Sequence, residues 1–539
     1  MKVNRIYIKD WQALKPYDNH SITDNYYLKI CNEVKKVLFL EYGEILTYYL
    51  DEKGIDLMSC FMVSYFEDII SETNIFTAFT NKHQELYNKK LPFFDTSEYF
   101  EYEINIQDIQ FLIWYFLNTI QNRQFINPNK EVFYKMANDI MLILEDEYEY
   151  APENKILQKY YTLPKDETDF YKGREMIDAV LFRTYFFHTD TQQTLSEIET
   201  ELIENSKNDE NLLSYLRDNR DALLFSSKTK LLSLSGQEWV AEILGKKHPL
   251  HNDYLSISPK IRGYFLYKGQ DDKNVFIEHI ASGKKFNLTK KSFDNGHYLT
   301  EIDMIIYFGI VLWKEEWWFS GIFFTQDFNA DLILDEKNSI ESRRAVNFLD
   351  HKDDEVIKTL QLQYQAFLDF NNGKQIAFLP ADKVNDFANE YVAFFNNSLN
   401  LSKKEIKEAK KRSKKDGFFG GNDANDLDFK DNFETALVFF NPKSGLEIAF
   451  EVNSAFPTKE NKYFDKTKSK EHILRLFMVG ELSTELAMYC VDNFKNKLPY
   501  FKKDEGNFLL KDLDFLLRFF KENQYHSKPQ VTFTGGNNG

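Results

Sequence analysis

The chain has 539 residues, 43% hydrophobic and 28% charged, with a net charge of −17 and 16% aromatics led by 50 Phe. That length gives a prior of three to four domains and ample core, and the acidic balance opposes a general role in coating nucleic acid, whose footprint is basic. Cys31, Cys60 and Cys490 form no CxxC pair, the opening lacks an apolar signal-peptide core, and no run of 18 uncharged apolar residues exists; a disulfide framework, a zinc ribbon and a membrane span are therefore not expected, and the expectation is a soluble, cytoplasmic protein.

Residues 1–225 read as an α-helical domain. Tyr7–Trp11 is expected to be extended. Helices are expected over Tyr26–Leu40, Leu57–Phe79, Asp108–Ile120, Lys130–Asp146, Gly173–Phe187 and Thr194–Glu204, with a last one before Phe225. The Asp108–Ile120 segment is apolar most of the way round, which predicts a buried helix. Residues 226–338 read as a capped helix followed by a small antiparallel β module. Ser235 and Glu238 form a capping box, in which the serine bonds the N3 amide and the glutamate reaches back. Strands are expected at Ile261–Lys268, Val275–Ile280 and Lys284–Leu288, separated by turn residues.

Met304–Gln326, MIIYFGIVLWKEEWWFSGIFFTQ, holds three of the six tryptophans. It is not a membrane span, because Lys314, Glu315 and Glu316 sit at its midpoint, where a lysine alone costs roughly 2.5–3.5 kcal/mol. Two strands, Ile305–Trp313 and Trp317–Thr325, joined by a polar turn fit better. Five strands in about 65 residues match the size of an SH3-like or OB barrel. Residues 339–400 return to helix, with Ile376–Leu379 as a strand, and 401–431 read as a charged flexible linker. Residues 432–539 combine a hairpin, Ala436–Phe440 with Leu446–Val452, and helices near Glu471–Phe494 and Phe508–Glu522. The fold class is α+β.

The candidate chemistry is sparse. His248, His251 and Asp253 offer three metal ligands in six residues, but Pro249 breaks the spacing and no HEXXH is present; a polar loop is favoured and no metal is assigned. Asp327, Asn329 and Asp331 copy the start of a calcium loop, yet Leu332 replaces the glycine and Asn338 the closing glutamate. Asn441–Gly445 is a hairpin turn rather than a P-loop. Arg174 and Asp178, one turn apart, read as a structural ion pair, as do the charges of Glu67 and Asp68. No nucleophile elbow, dinucleotide fingerprint or kinase motif appears; no cofactor is assigned, and the reading leans away from an enzyme.

Two binding candidates stand out. Lys403–Lys415 holds eight Lys or Arg against two Glu, so Lys410, Lys411, Arg412, Lys414 and Lys415 are candidates for contacting phosphates or an acidic face. Trp313, Trp317 and Trp318 are candidates for an interface, and strand alternation puts Trp317 and Trp318 on opposite faces.

Ile6–Tyr17, Thr23–Tyr27, Tyr65–Ser71 and Leu86–Pro92, together with Trp317–Gly321, resemble a family of uncharacterised bacterial proteins defined only as a domain of unknown function. The resemblance lies mainly in the N-terminal third. It implies a bacterial cytoplasmic origin and brings no catalytic residues. The functional expectation is a macromolecular binding or scaffolding module whose partner is another protein, with no membrane. The alternatives are an enzyme with an interdomain site of dispersed carboxylates, and local nucleic-acid binding through 403–415, which the net charge disfavours.

Overall fold

A computed structural model describes residues 4–121, 125–207, 209–292, 299, 301–350, 353–399, 404, 407 and 433–525. The chain divides into two compact units, Met1–Lys337 and Asn338–Gly539. The class is α+β: a helical N-terminal region, a small barrel and a mixed C-terminal region.

The first unit is built around the Ile106–Ile120 helix. Its residues Phe111 to Leu117 are all inaccessible to solvent, as the apolar circumference requires. Phe111 stacks on Phe79 at 4.9 Å, and Phe116 lies 5.2 Å from Phe61. Two local expectations are corrected. Tyr7–Trp11 is not extended: Ile8–Gln12 is a helical turn. The Asp10 carboxylate accepts the Tyr7 N–H at 3.0 Å and closes the turn from within. The single helix expected over Leu57–Phe79 is two, Glu52–Ile70 and Ile75–Tyr87. Glu72 and Asn74 take positive φ of 51° and 63° between them. Asp68 then accepts the N–H groups of Ile75 and Phe76 at 3.2 and 2.8 Å, so the end of one helix caps the start of the next.

Five strands follow: β1 Ile261–Gln270, β2 Asn274–His279, β3 Lys285–Thr289, β4 Ile305–Trp313 and β5 Glu316–Gln326. They close into a barrel in the order β1-β2-β3-β5-β4, antiparallel except for the β3–β5 rung at Leu288 and Trp317. This is the strand order of an OB-type Greek-key barrel rather than a simple meander. The register sends Ile261, Phe265, Ile277, Phe286, Leu288, Phe308 and Ile310 inward together. Lys314 and Glu315 both take positive φ in the two-residue β4–β5 turn, as the twist of a tight hairpin requires.

In the second unit β6 (Ile376–Pro380), β7 (Thr435–Asn441) and β8 (Gly445–Phe450) form an antiparallel sheet in that order. β7 is central and covered on both faces. Val438 and Phe440 join Phe367, Tyr391 and Phe395 in one core cluster, and Phe439 meets Tyr489 at 5.4 Å on the other side. The helix expected over Glu471–Phe494 is broken into Ser469–Met478 and Thr484–Phe494, because Ser483 caps the second by accepting the Leu486 N–H at 3.1 Å. Phe508–Glu522 is likewise two short helices, Asp504–Lys511 and Leu513–Phe520.

Candidate functional site

The barrel is fastened to the helices through the outer face of β4 and β5. Trp313, 1% exposed, lies edge-on to Tyr254 at 5.1 Å. The Tyr254 hydroxyl donates to the Gly173 carbonyl at 3.1 Å, and a Cβ on Gly173 would stand 3.2 Å from the Trp313 ring. Trp318, 2% exposed, lies 5.7 Å from Phe170 and 6.0 Å from Tyr171. The Tyr171 hydroxyl donates to the Phe319 carbonyl at 3.1 Å.

Beside the tryptophans lies a buried charge cluster. Asp218 and Asp221 project from one turn of the Leu212–Ser226 helix. Lys260, just before β1, donates to Asp221 at 2.6 Å and approaches Asp218 at 3.4 Å. Asp221 also takes the Ser320 hydroxyl at 2.9 Å and the Arg174 guanidinium, while Arg262 pairs with Asp218. Gly321 is required here: its φ is +97°, and a Cβ would sit 2.7 Å from the Lys260 ammonium.

With β4 and β5 bound on their outer face, the opposite wall of the barrel is left to solvent. Its register pairs Asn274 with Thr289, Phe276 with Asn287 and Glu278 with Lys285. Asn274, Phe276 and Glu278 are half-buried, Thr289 is buried, and Lys285 and Asn287 are exposed. Trp317 points the other way from Trp318, as alternation predicts. It sits half-buried at the end of the barrel, edge-on to Phe286 at 4.9 Å. Inside, His279 is fully buried with Nδ1 2.9 Å from the Ser282 hydroxyl, and burial pushes its pKa down to about 4.

The remaining sequence candidates are dispersed. His248 bonds the Leu163 carbonyl, His251 bonds Asn252, and Asp253 pairs with Lys314 at 3.3 Å. Among the described residues no group of three or more His, Cys, Asp or Glu is placed to hold a metal ion. Arg174 and Asp178 do not pair with each other: Arg174 goes to Asp221, and Asp178 to Arg220 at 2.7 Å and Arg183 at 3.4 Å. The Asn441–Gly445 segment is the β7–β8 turn, in which the Asn441 side chain accepts the Lys443 N–H at 2.8 Å. Lys410, Lys411, Arg412, Lys414 and Lys415 lie outside the described residues.

Asn329, the middle of the calcium-like triplet, is a helix cap. Its side chain accepts the N–H groups of Asp331 and Leu332, both at 3.1 Å, at the start of the Ala330–Asn338 helix. Asn329→Ala is therefore expected to destabilise the chain by about 1 kcal/mol, while added calcium leaves the unfolding midpoint of the wild type unchanged; a calcium-dependent shift in a thermal melt would restore the metal reading.

Sequence reasoning missed the polar network around Glu67, whose charge it had read only as part of a structural ion pair. Lys15 pairs with Glu67 and donates to Ser64 at 3.1 Å, all three buried. Asn154 donates to Glu67 and to the Tyr17 hydroxyl, each at 2.9 Å. Tyr17 and Trp11 both donate to Asp24, at 2.8 and 3.0 Å. In the second unit the buried Lys521 ammonium donates to the carbonyls of Val479 and Leu482 at 2.6 and 2.8 Å, and burial lowers its pKa to about 7. A cleft beside Phe76, Thr80 and Tyr99 holds about 10 Å³, room for one water. No helix among the described residues is long and apolar enough to cross a membrane.

Residues 5–271 match the family described as "Protein of unknown function (DUF3843)". The match extends the resemblance seen in the N-terminal third across nearly half of the chain and ends at Asp271, just before β2. No curated protein and no solved structure matches the chain.

Proposed function

With residues 5–271 placed in a family of unknown function, we propose that the chain is a macromolecular binding module whose recognition element is the barrel. The observation that carries this is the one-sided attachment of the barrel. Trp313, Trp318, Lys260 and Ser320 hold its β4–β5 side against the helices, and the outer β2–β3 wall faces solvent on a rigid support. A site on strands fixed in this way is pre-organised, which reduces what binding must order. The enzyme alternative has less behind it. The buried carboxylates Asp24, Glu67, Asp68 and Asp221 each accept several hydrogen bonds from neighbouring side chains or backbone.

The test is affinity capture with the immobilised full-length chain in a lysate of its own source cells, run with and without nuclease. Wild type is compared with Phe276→Ser/Asn287→Glu and with a variant neutralised at Lys410, Lys411, Arg412, Lys414 and Lys415. The expected result is at least one component retained by the wild type and by the neutralised variant but lost from the wall variant. Identical retention by all three proteins would remove the barrel from the function.

A further inference from the structure

The β2–β3 wall is locally basic. Residues 271–291 hold five lysines, Lys273, Lys284, Lys285, Lys290 and Lys291, against Asp271, Asp272 and Glu278, in a chain whose net charge is −17. The register distributes the lysines to both ends of the wall. The Lys290 N–H donates to the Lys273 carbonyl at 2.8 Å, which brings those two residues together at one end. Lys285 stands at the other, opposite Glu278. From Lys285 to Lys290 the chain covers roughly 16 Å at strand rise. Between the two ends lie Phe276 and, across from it, Asn287.

Asp272 is exposed beside Lys273, and Asp271 lies within electrostatic reach of Lys290. Asp271 accepts the backbone N–H groups of Lys273 and Asn274 at 2.8 and 2.6 Å, and Glu278 faces Lys268 at 3.9 Å. Lys291 is held by the Glu316 carboxylate at 2.8 Å. A row of cations flanking an aromatic face, with an amide beside it, has the composition of a surface for single strands. The cations track the phosphates, and a half-buried ring stacks on a base of any sequence.

We propose that the outer β2–β3 wall binds single-stranded nucleic acid, with Lys273, Lys285 and Lys290 on phosphates, Phe276 stacking on a base and Asn287 bonding a base edge. This rests on the reading of the barrel as the recognition element and names its partner. The net charge of −17 opposes the polyanion over the molecule as a whole, so binding is local and steeply dependent on salt.

Fluorescence anisotropy of the full-length chain with a labelled oligothymidylate of about 15 nucleotides tests it. Three phosphate contacts predict that affinity falls about twentyfold between about 50 and 200 mM salt. Lys273→Glu/Lys285→Glu/Lys290→Glu is expected to remove most of that dependence. Phe276→Ala is expected to weaken binding about tenfold with the salt slope unchanged, and Phe276→Trp to preserve it. Urea midpoints of the variants check that the barrel remains folded. The proposal is overturned by no binding at about 50 μM protein in low salt, by affinity that survives the triple substitution, or by polyglutamate binding the wall as tightly while Phe276→Ala is neutral, which would make the partner an acidic protein. Failure with wall-dependent capture intact removes only the nucleic-acid assignment; failure together with wall-independent capture removes the binding-module reading as well.

Discussion

Replacing Asp221 by alanine is expected to destabilise the first unit by about 3–5 kcal/mol, because it strips the nearest partner from a buried cation. The side chains of Lys260 and Asp221 are 5% and 0% exposed, and their contact is 2.6 Å. Once Asp221 is gone, Lys260 keeps only Asp218 at 3.4 Å, which Arg262 already holds. Arg174 and the Ser320 hydroxyl lose the same acceptor. A buried charge left without its partner costs more than the pair contributed, so the asymmetry can be measured. Lys260→Met on its own should cost less than Asp221→Ala. Adding Lys260→Met to Asp221→Ala should recover part of the loss rather than add to it. Urea unfolding followed by tryptophan emission reads this directly, because Trp313 and Trp318 lie in the same contact and are wetted when the barrel lets go. A loss under about 1 kcal/mol for Asp221→Ala would mean that the cluster is not what holds the barrel.

The parts of this architecture that were legible in the sequence are those written locally. The five strands follow from β-branched and aromatic runs divided by turn residues, and each expected strand overlaps an observed one. Trp317 and Trp318 separate to opposite faces by strand parity alone. The Ser235–Glu238 box caps its helix as its spacing requires. What was not legible depends on partners far along the chain. Asp218 and Asp221 look like ordinary surface acids of an amphipathic helix until Lys260 arrives from about 40 positions away. Arg174 and Asp178 have ideal spacing for each other, yet each finds a partner on the Leu212–Ser226 helix, and tertiary geometry overrides the local pair. The break between Ile70 and Ile75 was hidden for a local reason: the residue that caps the second helix, Asp68, lies inside the first and reads as part of its sequence.

The residues that carried the family resemblance lie in the same kind of network. Trp11, Tyr17, Asp24 and Glu67 meet through hydrogen bonds around Lys15 and Asn154. Lys15 lies 3.6 Å above the Trp11 ring, and Tyr27 stacks on that ring at 5.9 Å. A motif that can be read in sequence is here a polar core that fixes how the first helices pack. The wall that carries the proposed contacts begins after Asp271, outside the matched span. The family match therefore bears on the scaffold, and the β2–β3 wall has to be tested separately.

Asp108 gives the scaffold a pH signature. It is fully buried at the start of the Ile106–Ile120 helix, accepting from Tyr65 at 2.6 Å and Asn105 at 3.3 Å, and burial raises its pKa to about 7. The unfolded chain holds that carboxyl near its ordinary value of about 3.9. Between those values the folded state binds more protons than the unfolded one, so stability falls as pH rises. The contribution is fully present below about pH 4 and is lost as pH passes through about 7, an effect of up to about 4 kcal/mol for three units. Asp108→Asn, neutral at every pH, should flatten this slope, and above pH 7 it should lie closer to the wild type, or above it, than it does at pH 4. Lys521 in the second unit acts in a different window with the opposite sign. Its folded pKa is depressed to about 7, so the unfolded chain binds the extra proton between about 7 and 10.4 and stability rises with pH there. Urea midpoints measured from pH 4 to 10 separate the two. A slope between pH 4 and 7 as steep in Asp108→Asn as in the wild type would show that Asp108 does not carry it and leave it to other carboxyls raised by burial, such as Asp68.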